Sequence, residues 1–190
     1  AQVQTFPIGI GRMNWATPLG QTKIVSKTKD PSWRPPESIR REHAEKGDPL
    51  PLLVPAGPDN PLGAYAMGLG IPGYLIHGTN KPIGVGMRVS HGCIRMLPED
   101  IARLFPQVPV GTPVTIVNQP VKAGWYGGKL YIEVHPALEE YPNTRSAMVQ
   151  EAQMALNSAM TGRAAKLDSG AIEAELSRKT GLPLAISTGR

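Results

Sequence analysis

A cysteine that follows a histidine by two residues is the feature of this 190-residue chain best suited to chemistry. The segment 88–96 reads RVSHGCIRM, and its cysteine, Cys93, is the only one in the sequence. Such a residue can be a buried small side chain, half of an intermolecular disulfide, a metal ligand or a nucleophile. A nucleophile requires an accessible, partly ionised thiol, a nearby base, and hydrogen-bond donors for the oxyanion formed on attack.

The residues around Cys93 favour the nucleophile. Gly92 has no Cβ, so the chain can turn tightly there and a substrate can approach the backbone. The amides of Gly92 and Cys93 can then converge on one point, as an oxyanion hole requires. Ser90, His91 and Arg95 surround the thiol with polar and cationic groups. The positive charge of Arg95 predicts a stabilised thiolate at this position.

A candidate base stands in the segment YLIHGTN, residues 74–80. His77 follows an apolar run and precedes Gly78, so it is predicted to lie where a strand gives way to a loop. Side chains at such strand ends are often functional. The separation between His77 and Cys93 is 16 residues, and the intervening segment contains glycine and proline. It is long enough to loop out and return, which allows the histidine to reach the thiol.

A metal or redox role for the cysteine is less favoured. A zinc site built from Cys93, His91 and His77 would have ligands at i and i+2, which matches none of the usual structural zinc spacings. His43 lies in a charged stretch and His135 ends a predicted strand, so neither supports a metal site. A dithiol redox role lacks a second, resolving cysteine. We therefore predict neither a metal nor a cofactor.

The charge and composition narrow the class of protein. The net charge is +5 and the pI about 9.5, but the densest basic stretch, residues 34–46, mixes both signs. Because no basic stripe with interleaved aromatic residues occurs, no nucleic-acid partner is predicted; a general attraction to a polyanionic matrix stays open. No apolar run approaches the roughly 18–20 residues of a transmembrane helix. The 21 glycines and 20 prolines favour turns and short strands over long helices.

The first two-thirds of the chain are predicted to be rich in β-structure. A hairpin is expected around Gly127-Gly128, which can supply the positive φ angles of a tight turn. A long proline-rich excursion, residues 30–63, is expected to form a functional flap or small subdomain. The strand candidates are short, β-branched or aromatic, and bounded by turn residues; they are residues 3–11, 23–28, 63–70, 73–78, 112–118 and 129–135.

Four segments carry helix signals. The first, within 36–47, has Pro36 early and Gly47 as its stop, and the second, 97–105, has acidic residues in its first turn. The other two lie in the tail, at 144–160 and 168–181, the latter predicted to close on Gly181. The prediction is a β-rich domain over 1–140, with a helical extension over 141–190 packed on it. The first residues read like a strand entered midway, so an upstream first strand or hairpin is expected to be missing.

The two motifs together resemble the signature of the L,D-transpeptidases, the YkuD-type catalytic domain. HGTN at 77–80 and SHGCIR at 90–95 carry the resemblance, and further similar blocks extend it over residues 4–135. The resemblance implies a mainly β fold: a β-sandwich-like body with a few short helices and the cysteine in a pocket under a flap. It is closest to the periplasmic subgroup of Gram-negative bacteria, whose members cross-link peptidoglycan or attach an outer-membrane lipoprotein to it.

The resemblance also implies a reaction and a set of roles. Cys93 would attack the L-centre of diaminopimelate in a tetrapeptide stem, release D-alanine, and hold the acyl group as a thioester until an amine accepts it. His77 would be the base, the carbonyl of Gly78 would orient its imidazole, and His91 would complete the catalytic set. The implied oxyanion donors are the amides of His91, Gly92 and Cys93. The implied substrate-binding residues are Ser90, Arg95, Thr79 and Asn80. The family is acylated by carbapenems.

Two alternatives stay open at the level of sequence. The same acyl-enzyme could pass its acyl group to water, as an L,D-carboxypeptidase or another hydrolase does. A non-catalytic peptidoglycan-binding module is the alternative from another class, and the intact His77, His91 and Cys93 count against it. Family members often carry a LysM module and a signal or lipid anchor, none of which occurs in these residues. Export to the periplasm is nevertheless expected, with peptidoglycan stem peptides as partners.

Overall fold

The computed structural model of the chain describes residues 3–141 and 144–187. The chain divides into two compact units, residues 1–117 and residues 118–190. The sequence placed the boundary near residue 140 instead. The difference arises because the hairpin before residue 140 shares its apolar core with the helices that follow it. That 141–190 packs on the catalytic domain stays a prediction.

The first unit is built on one seven-stranded mixed sheet. Its spatial order is β5-β1-β6-β4-β3-β2-β7, and most of its strands are only three to five residues long. Six strands follow β1 at Ile8–Gly11: β2 Gly20–Lys29, β3 Tyr65–Leu69, β4 Leu75–His77, β5 Arg88–Ser90, β6 Ile94–Met96 and β7 Pro113–Ile116. The mainly β fold predicted from the sequence is confirmed.

Two strands of this sheet change partners partway along their length. The first half of β2 pairs with β7 through residues 20–23, and the second half pairs with β3 through residues 24–29. In the same way β1 pairs first with β6 and then, from Ile10, with β5. Each switch coincides with a register shift. A bulge bends its strand, and a bent strand can pair with one set of neighbours before the bend and with another set after it. The sheet is curved in this way.

The core of the first unit is formed by strands β2, β3 and β6 and by the helix that follows β6. Its buried members are Ile24, Met67, Leu69, Met96 and Ile101. Helix α2, Pro98–Leu104, contributes Ile101 from its buried face. Proline at its first position and Glu99 and Asp100 in its first turn favour its start directly after β6. The helix therefore begins immediately behind the cysteine motif and anchors it to the core.

The excursion over 30–63 is a folded subdomain. It holds helix α1, Glu37–Glu45, which starts after Pro36 and stops before Gly47 as predicted. Its centre is Asn60, a fully buried side chain that the sequence did not single out. The Asn60 amide donates to the carbonyls of Pro31 and Pro55, at 2.8 and 3.0 Å. Its side-chain oxygen accepts from the backbone amide of Leu62. One side chain therefore links three separate backbone positions of the excursion.

The second unit is a hairpin covered by two helices. Strands β8, Val121–Tyr126, and β9, Lys129–Val134, are joined through Gly127-Gly128, whose φ angles of 55° and 82° confirm the predicted tight turn. Two helices pack on it: α3, Arg145–Ala159, on β8 and α4, Ser169–Arg178, on β9. A short strand β10, Leu184–Ala185, extends the sheet beside β9.

Helix starts in the second unit agree with the sequence and one helix end does not. Thr144 and Asp168 cap α3 and α4, their side chains accepting from backbone amides three residues on. Helix α4 was predicted to close on Gly181 but ends earlier, with Lys179 in the left-handed conformation at φ 53°. The hydrogen bonds from Thr180 to the buried carboxylate of Glu175 hold this early end.

Candidate active site

Cys93 lies in the three-residue turn that joins β5 to β6. Gly92 in this turn has φ 101°, a conformation that side chains rarely adopt. A Cβ there would stand only 2.6 Å from Cε1 of Tyr74, so the glycine is required by both conformation and space. Ser90 closes the turn, because its hydroxyl accepts from the Gly92 amide at 3.1 Å and donates to the Cys93 carbonyl at 2.6 Å.

The parallel pairing of β4 and β6 brings the two motifs together. His77 on β4 is the register partner of Arg95 on β6, so the two side chains leave the same face of the sheet. Cys93 precedes Arg95 by two residues, in the turn that leads into β6. The charge of Arg95 acts on both His77 and Cys93. The strand register thus places the two motifs side by side in the sheet, and the proximity of base and thiol stays a prediction.

His77 is held in one tautomer. Its side chain is 3% exposed, and its Nδ1–H donates to the carbonyl of Gly78 at 2.6 Å. The other ring nitrogen, Nε2, then carries the lone pair that a base needs. Burial, with a smaller contribution from the charge of Arg95, lowers the pKa of His77 to about 4. The imidazole is therefore neutral at neutral pH and able to accept a proton.

The resting protonation of Cys93 differs from the sequence-based expectation. Burial raises the pKa of the Cys93 thiol, while the Leu75 amide and the charge of Arg95 lower it by less. The thiol Sγ lies 3.7 Å from the carbonyl of Gly73, a partner that suits S–H rather than a thiolate. The expectation that Arg95 favours the thiolate has the right sign, but desolvation is the larger effect. The resting pair is a neutral thiol beside a neutral imidazole.

Arg95 has an unused donor in this region. Its Nε atom is buried and has no hydrogen-bond partner among residues 3–141 and 144–187. A guanidinium group only donates hydrogen bonds, so an acceptor is what this atom lacks. Burial also lowers the pKa of Arg95, although an arginine side chain stays charged at any pH of interest. The site therefore presents an unsatisfied cationic donor next to the thiol.

The imidazole of His91 has partners of its own outside the cysteine turn. Its Nε2 lies 3.0 Å from Oε2 of Glu42 on helix α1 and 2.9 Å from Nη2 of Arg12. The ring of Trp15 meets it edge to face, with centroids 4.9 Å apart. Burial lowers the pKa of His91, and the Glu42 carboxylate only partly offsets this. His91 is thus a neutral ring bound to the excursion.

The segment after β1 wraps around the cysteine turn. The Arg12 amide donates to the Ser90 carbonyl at 3.0 Å, and the Thr17 hydroxyl donates to the Gly92 carbonyl at 2.9 Å. The same hydroxyl accepts from the amide of Gly11 at 3.0 Å. These bonds fix both sides of the turn from a part of the chain about 75 residues away in sequence.

Several residues of the site were missed by sequence reasoning. They are Arg12, Trp15, Thr17, Glu42 and Tyr74. Glu42 was read as part of a charged surface helix, because nothing in RREHAEK distinguishes one acidic residue from its neighbours. The only available signal was the length of the excursion, which predicted a functional element without identifying a residue in it.

The predicted substrate-binding residues other than Arg95 make contacts within the protein. Ser90 is 1% exposed and its hydroxyl is used in the turn. Thr79 is also buried, and its hydroxyl accepts from the amide of Lys81 at 3.0 Å. Asn80 is exposed, and its side chain donates to the carbonyl of Asp59, joining the loop to the excursion. Substrate contact by these three residues stays a prediction.

The three predicted oxyanion donors differ in whether the amide already has a hydrogen-bond partner. The amide of Gly92 already donates to the Ser90 hydroxyl, so in this conformation it is engaged. The amides of His91 and Cys93 remain the predicted donors. The described parts of the chain, 3–141 and 144–187, contain no group of three histidine, cysteine or acidic side chains arranged to hold a metal ion. Nor does any helix in these ranges have the length and apolarity needed to cross a membrane.

Comparison with known proteins agrees with the geometry. Residues 1–116 match the family model YkuD, described as the L,D-transpeptidase catalytic domain. The chain is 42% identical over 193 residues to the probable L,D-transpeptidase ErfK/SrfK of Escherichia coli K12, covering 98% of this chain and 61% of that protein. It is 49% identical over 138 residues to the probable L,D-transpeptidase YbiS of the same strain, covering 72% and 45%.

Solved structures of the same class are more distant. L,D-transpeptidase 3 from Mycobacterium tuberculosis aligns with a TM-score of 0.45 and 23% identity, covering 62% of this chain and 48% of that one. The present chain spans between 45% and 61% of the length of the two Escherichia coli relatives. The comparisons therefore concern the residues matched here, and the activity of a whole protein requires its own test.

Proposed function

Because the chain belongs to the YkuD family of L,D-transpeptidase catalytic domains, we propose that it catalyses cysteine-dependent acyl transfer on peptidoglycan tetrapeptide stems. The observation that carries the proposal is the joint geometry of two residues. His77 has its Nδ1–H bound to the Gly78 carbonyl, and its strand β4 pairs in parallel with β6, which starts directly after Cys93. A nucleophile beside a base that a third group orients is the arrangement needed for acyl transfer.

The first half-reaction forms the acyl-enzyme. Cys93 Sγ attacks the carbonyl carbon at the L-centre of diaminopimelate, and its proton passes to Nε2 of His77. The tetrahedral intermediate collapses with cleavage of the C–N bond to D-alanine. The imidazolium returns the proton to the departing amine, which leaves a thioester on Cys93. A neutral resting pair suits this sequence, since thiolate and imidazolium form together and stabilise one another.

The second half-reaction resolves the thioester. An amine attacks the thioester carbon, His77 takes its proton, and the C–S bond breaks as the thiol is restored. We propose the side-chain amine of a second diaminopimelate as acceptor for a 3→3 cross-link, or a lipoprotein lysine for attachment. Neither half-reaction requires a metal or a cofactor.

The oxyanion and the substrate carboxylates need cationic or N–H partners. We assign the oxyanion to the amides of His91 and Cys93, joined by that of Gly92 when Ser90 releases it. The unpartnered Nε of Arg95 supports a role in binding a carboxylate of the stem peptide. A carboxylate at this position would also satisfy a buried donor that otherwise costs stability.

His77 rather than His91 is the better candidate for the base. The Nδ1 contact of His77 leaves Nε2 with a lone pair on a strand that pairs with β6, whereas the imidazole of His91 is bound to Glu42 on helix α1. Placement outside the cytoplasmic membrane follows from the proposed substrate, because peptidoglycan lies there. We therefore propose the periplasm as the site of action, with peptidoglycan stem peptides as the partner and a lipoprotein as a possible second one.

Digestion of defined muropeptides by the purified protein tests the proposal. We expect tetrapeptide stems to lose D-alanine and to give 3→3 dimers, or lipoprotein-peptide adducts when such a lipoprotein is supplied. Mass spectrometry of the intact protein should show an acyl adduct on Cys93. Tripeptides without dimers or adducts would instead favour the hydrolase.

A carbapenem provides the control for catalytic competence. We expect one covalent adduct per chain, located on Cys93 by peptide mapping and absent from Cys93→Ala. A folded protein that neither forms this adduct nor changes any muropeptide would favour a non-catalytic binding module and overturn the proposal.

A further inference from the structure

Three segments distant in sequence meet at the imidazole of His91. Arg12 comes from the end of β1, Glu42 from helix α1 of the excursion, and His91 from the turn that carries Cys93. One Arg12 nitrogen, Nη2, donates to Oε1 of Glu42 at 2.6 Å and also contacts Oε2. The same Oε2 lies 3.0 Å from Nε2 of His91. The side chains of Glu42 and His91 are 20% and 17% exposed, so the contact is largely shielded from solvent.

The chemistry of the partners selects one arrangement of hydrogens. A guanidinium group only donates and a carboxylate only accepts, so Glu42 must be the acceptor for both neighbours. His91 then carries its proton on Nε2 and donates it to Oε2 of Glu42. Its Nε2 cannot at the same time accept from Arg12, whose role is to neutralise the carboxylate. The edge of the Trp15 ring limits rotation of the imidazole.

We propose that Glu42 is a positioning residue for acyl transfer: by accepting from Nε2–H of His91, it holds the cysteine turn in its reactive conformation, with Arg12 as its counter-ion. This inference rests on the proposed function. It assigns Glu42 no contact with the substrate, and its effect passes through His91. If Glu42 has this role, the cysteine turn adopts its reactive conformation only when helix α1 is packed against it.

The need for such a residue follows from the length of the turn. His91 and Cys93 supply two of the three predicted oxyanion amides, and Gly92, whose amide is engaged by Ser90, separates them. A rotation of the His91 peptide therefore moves an oxyanion donor relative to the thiol. Ser90 donates to the Cys93 carbonyl and Thr17 to the Gly92 carbonyl. The side chain of His91 is held instead by Glu42 and its cation. Misplacement by about 1 Å can cost on the order of 100-fold in rate.

The cationic groups around the Glu42 carboxylate explain why it can act as a hydrogen-bond acceptor for His91. Arg12 and Lys46 both donate to Glu42 and hold its pKa well below its usual range. His43 lies on the same helix, with its ring centroid 6.5 Å from that of His91. Glu42 thus stays ionised and remains a strong acceptor for an imidazole that burial keeps neutral.

Substitution of Glu42 with a matched control on the same helix tests the inference. We expect Glu42→Ala to lower the first-order rate of Cys93 acylation by a carbapenem on the order of 10- to 100-fold. The apparent affinity for the carbapenem should stay unchanged, because Glu42 does not touch it. Glu42→Gln keeps an acceptor oxygen and should recover much of the rate. The control, Glu45→Ala, removes the exposed carboxylate of the last residue of α1 and should match wild type.

Nitrogen NMR of the imidazoles gives a readout that does not depend on activity. We expect His91 of wild type to be protonated on Nε2 and to change its tautomer balance in Glu42→Ala but not in Glu45→Ala. An acylation rate within twofold of the control, or an unchanged His91 spectrum, would overturn the inference. If wild type were not acylated at all, the proposed function would fail, and the His91 spectrum would still decide the role of Glu42.

Discussion

The two compact units of the chain bury polar side chains to very different extents. Within residues 3–117 the buried polar side chains are Asn60, His77, Thr79, Ser90 and Asp100. In the second unit, described over 118–141 and 144–187, Glu175 is the buried polar side chain, against nine buried apolar residues in its core. A buried polar group must find a hydrogen-bond partner at a defined place, whereas apolar contacts are less directional.

The two units therefore use their interiors differently: the first holds groups in place by hydrogen bonds, and the second is held together by apolar contacts. In the first unit, side chains bond to the backbone of the turn between two three-residue strands, from three residues away for Ser90 and from 75 residues away for Thr17. In the second unit, a ten-residue helix, a fifteen-residue helix and a hairpin follow local rules of capping and alternation. We conclude that the first unit uses its polar interior to orient reactive groups, and that the second derives its stability from ordinary apolar packing.

Removing the thiol should give the largest effect and the clearest separation between function and stability. We expect Cys93→Ala to lower acyl transfer on the order of 10⁴-fold or more, because no other group can form the thioester. The midpoint of thermal unfolding should change little, since Cys93 is only partly buried and lies in a polar turn. Loss of folding in this variant would show instead that the cysteine has a structural role.

A core substitution in the second unit should show the opposite pattern. Ile132→Ala removes a fully buried side chain between the hairpin and its helices, and we expect a cost of about 2–5 kcal/mol. Carbapenem acylation of Cys93, measured well below the unfolding midpoint, should keep its rate. Val149→Ala, at a 41% exposed position on α3, is the matched control and should change stability by less than about 0.5 kcal/mol.

The pH dependence of the free energy of unfolding tests whether burial of His77 destabilises the first unit at acidic pH. Its pKa is lowered to about 4 from a usual value near 6.5, so the unfolded chain binds the extra proton between these values. Stability contributed by the neutral form is therefore complete above pH 6.5 and decreases as the pH falls toward 4, by up to about 3 kcal/mol.

Urea unfolding at pH 7 and pH 4.5 measures this effect. We expect His77→Gln to lose less stability than wild type over that interval, because glutamine does not titrate. An equal loss in both proteins would mean that burial of His77 carries no pH-linked cost.

A helix cap in the second unit should give the smallest effect. Asp168 accepts from the amide of Ala171 at 2.9 Å, and we expect Asp168→Ala to cost about 1 kcal/mol. Asp168→Asn keeps an acceptor and should cost less. Calorimetry of both variants tests whether stability here follows local rules; a cost above that of Ile132→Ala would contradict this view.

Much of the fold and of the reactive centre could be predicted from the sequence. The helices around Ile39, Ile101 and Ile172 were found from their capping and turn residues, because these signals lie within a few positions of each helix. Strands β5 and β6 were not predicted, since three residues are too few to show an alternating pattern. The predicted thiolate character of Cys93 was wrong for the resting protein, because sequence shows the charge of Arg95 but not the burial of the thiol.

The sequence by itself identified the candidate reactive groups. Cys93, His77, the turn glycine and Arg95 are recognisable from residue type and spacing, since these properties are local. Only the tertiary structure decided how they are held. The parallel register of β4 and β6, the neutral state of the thiol, and the contact of Glu42 with His91 depend on segments up to 49 residues apart in sequence. Burial and long-range hydrogen bonds arise only when such segments pack together, so local pattern carries no record of them.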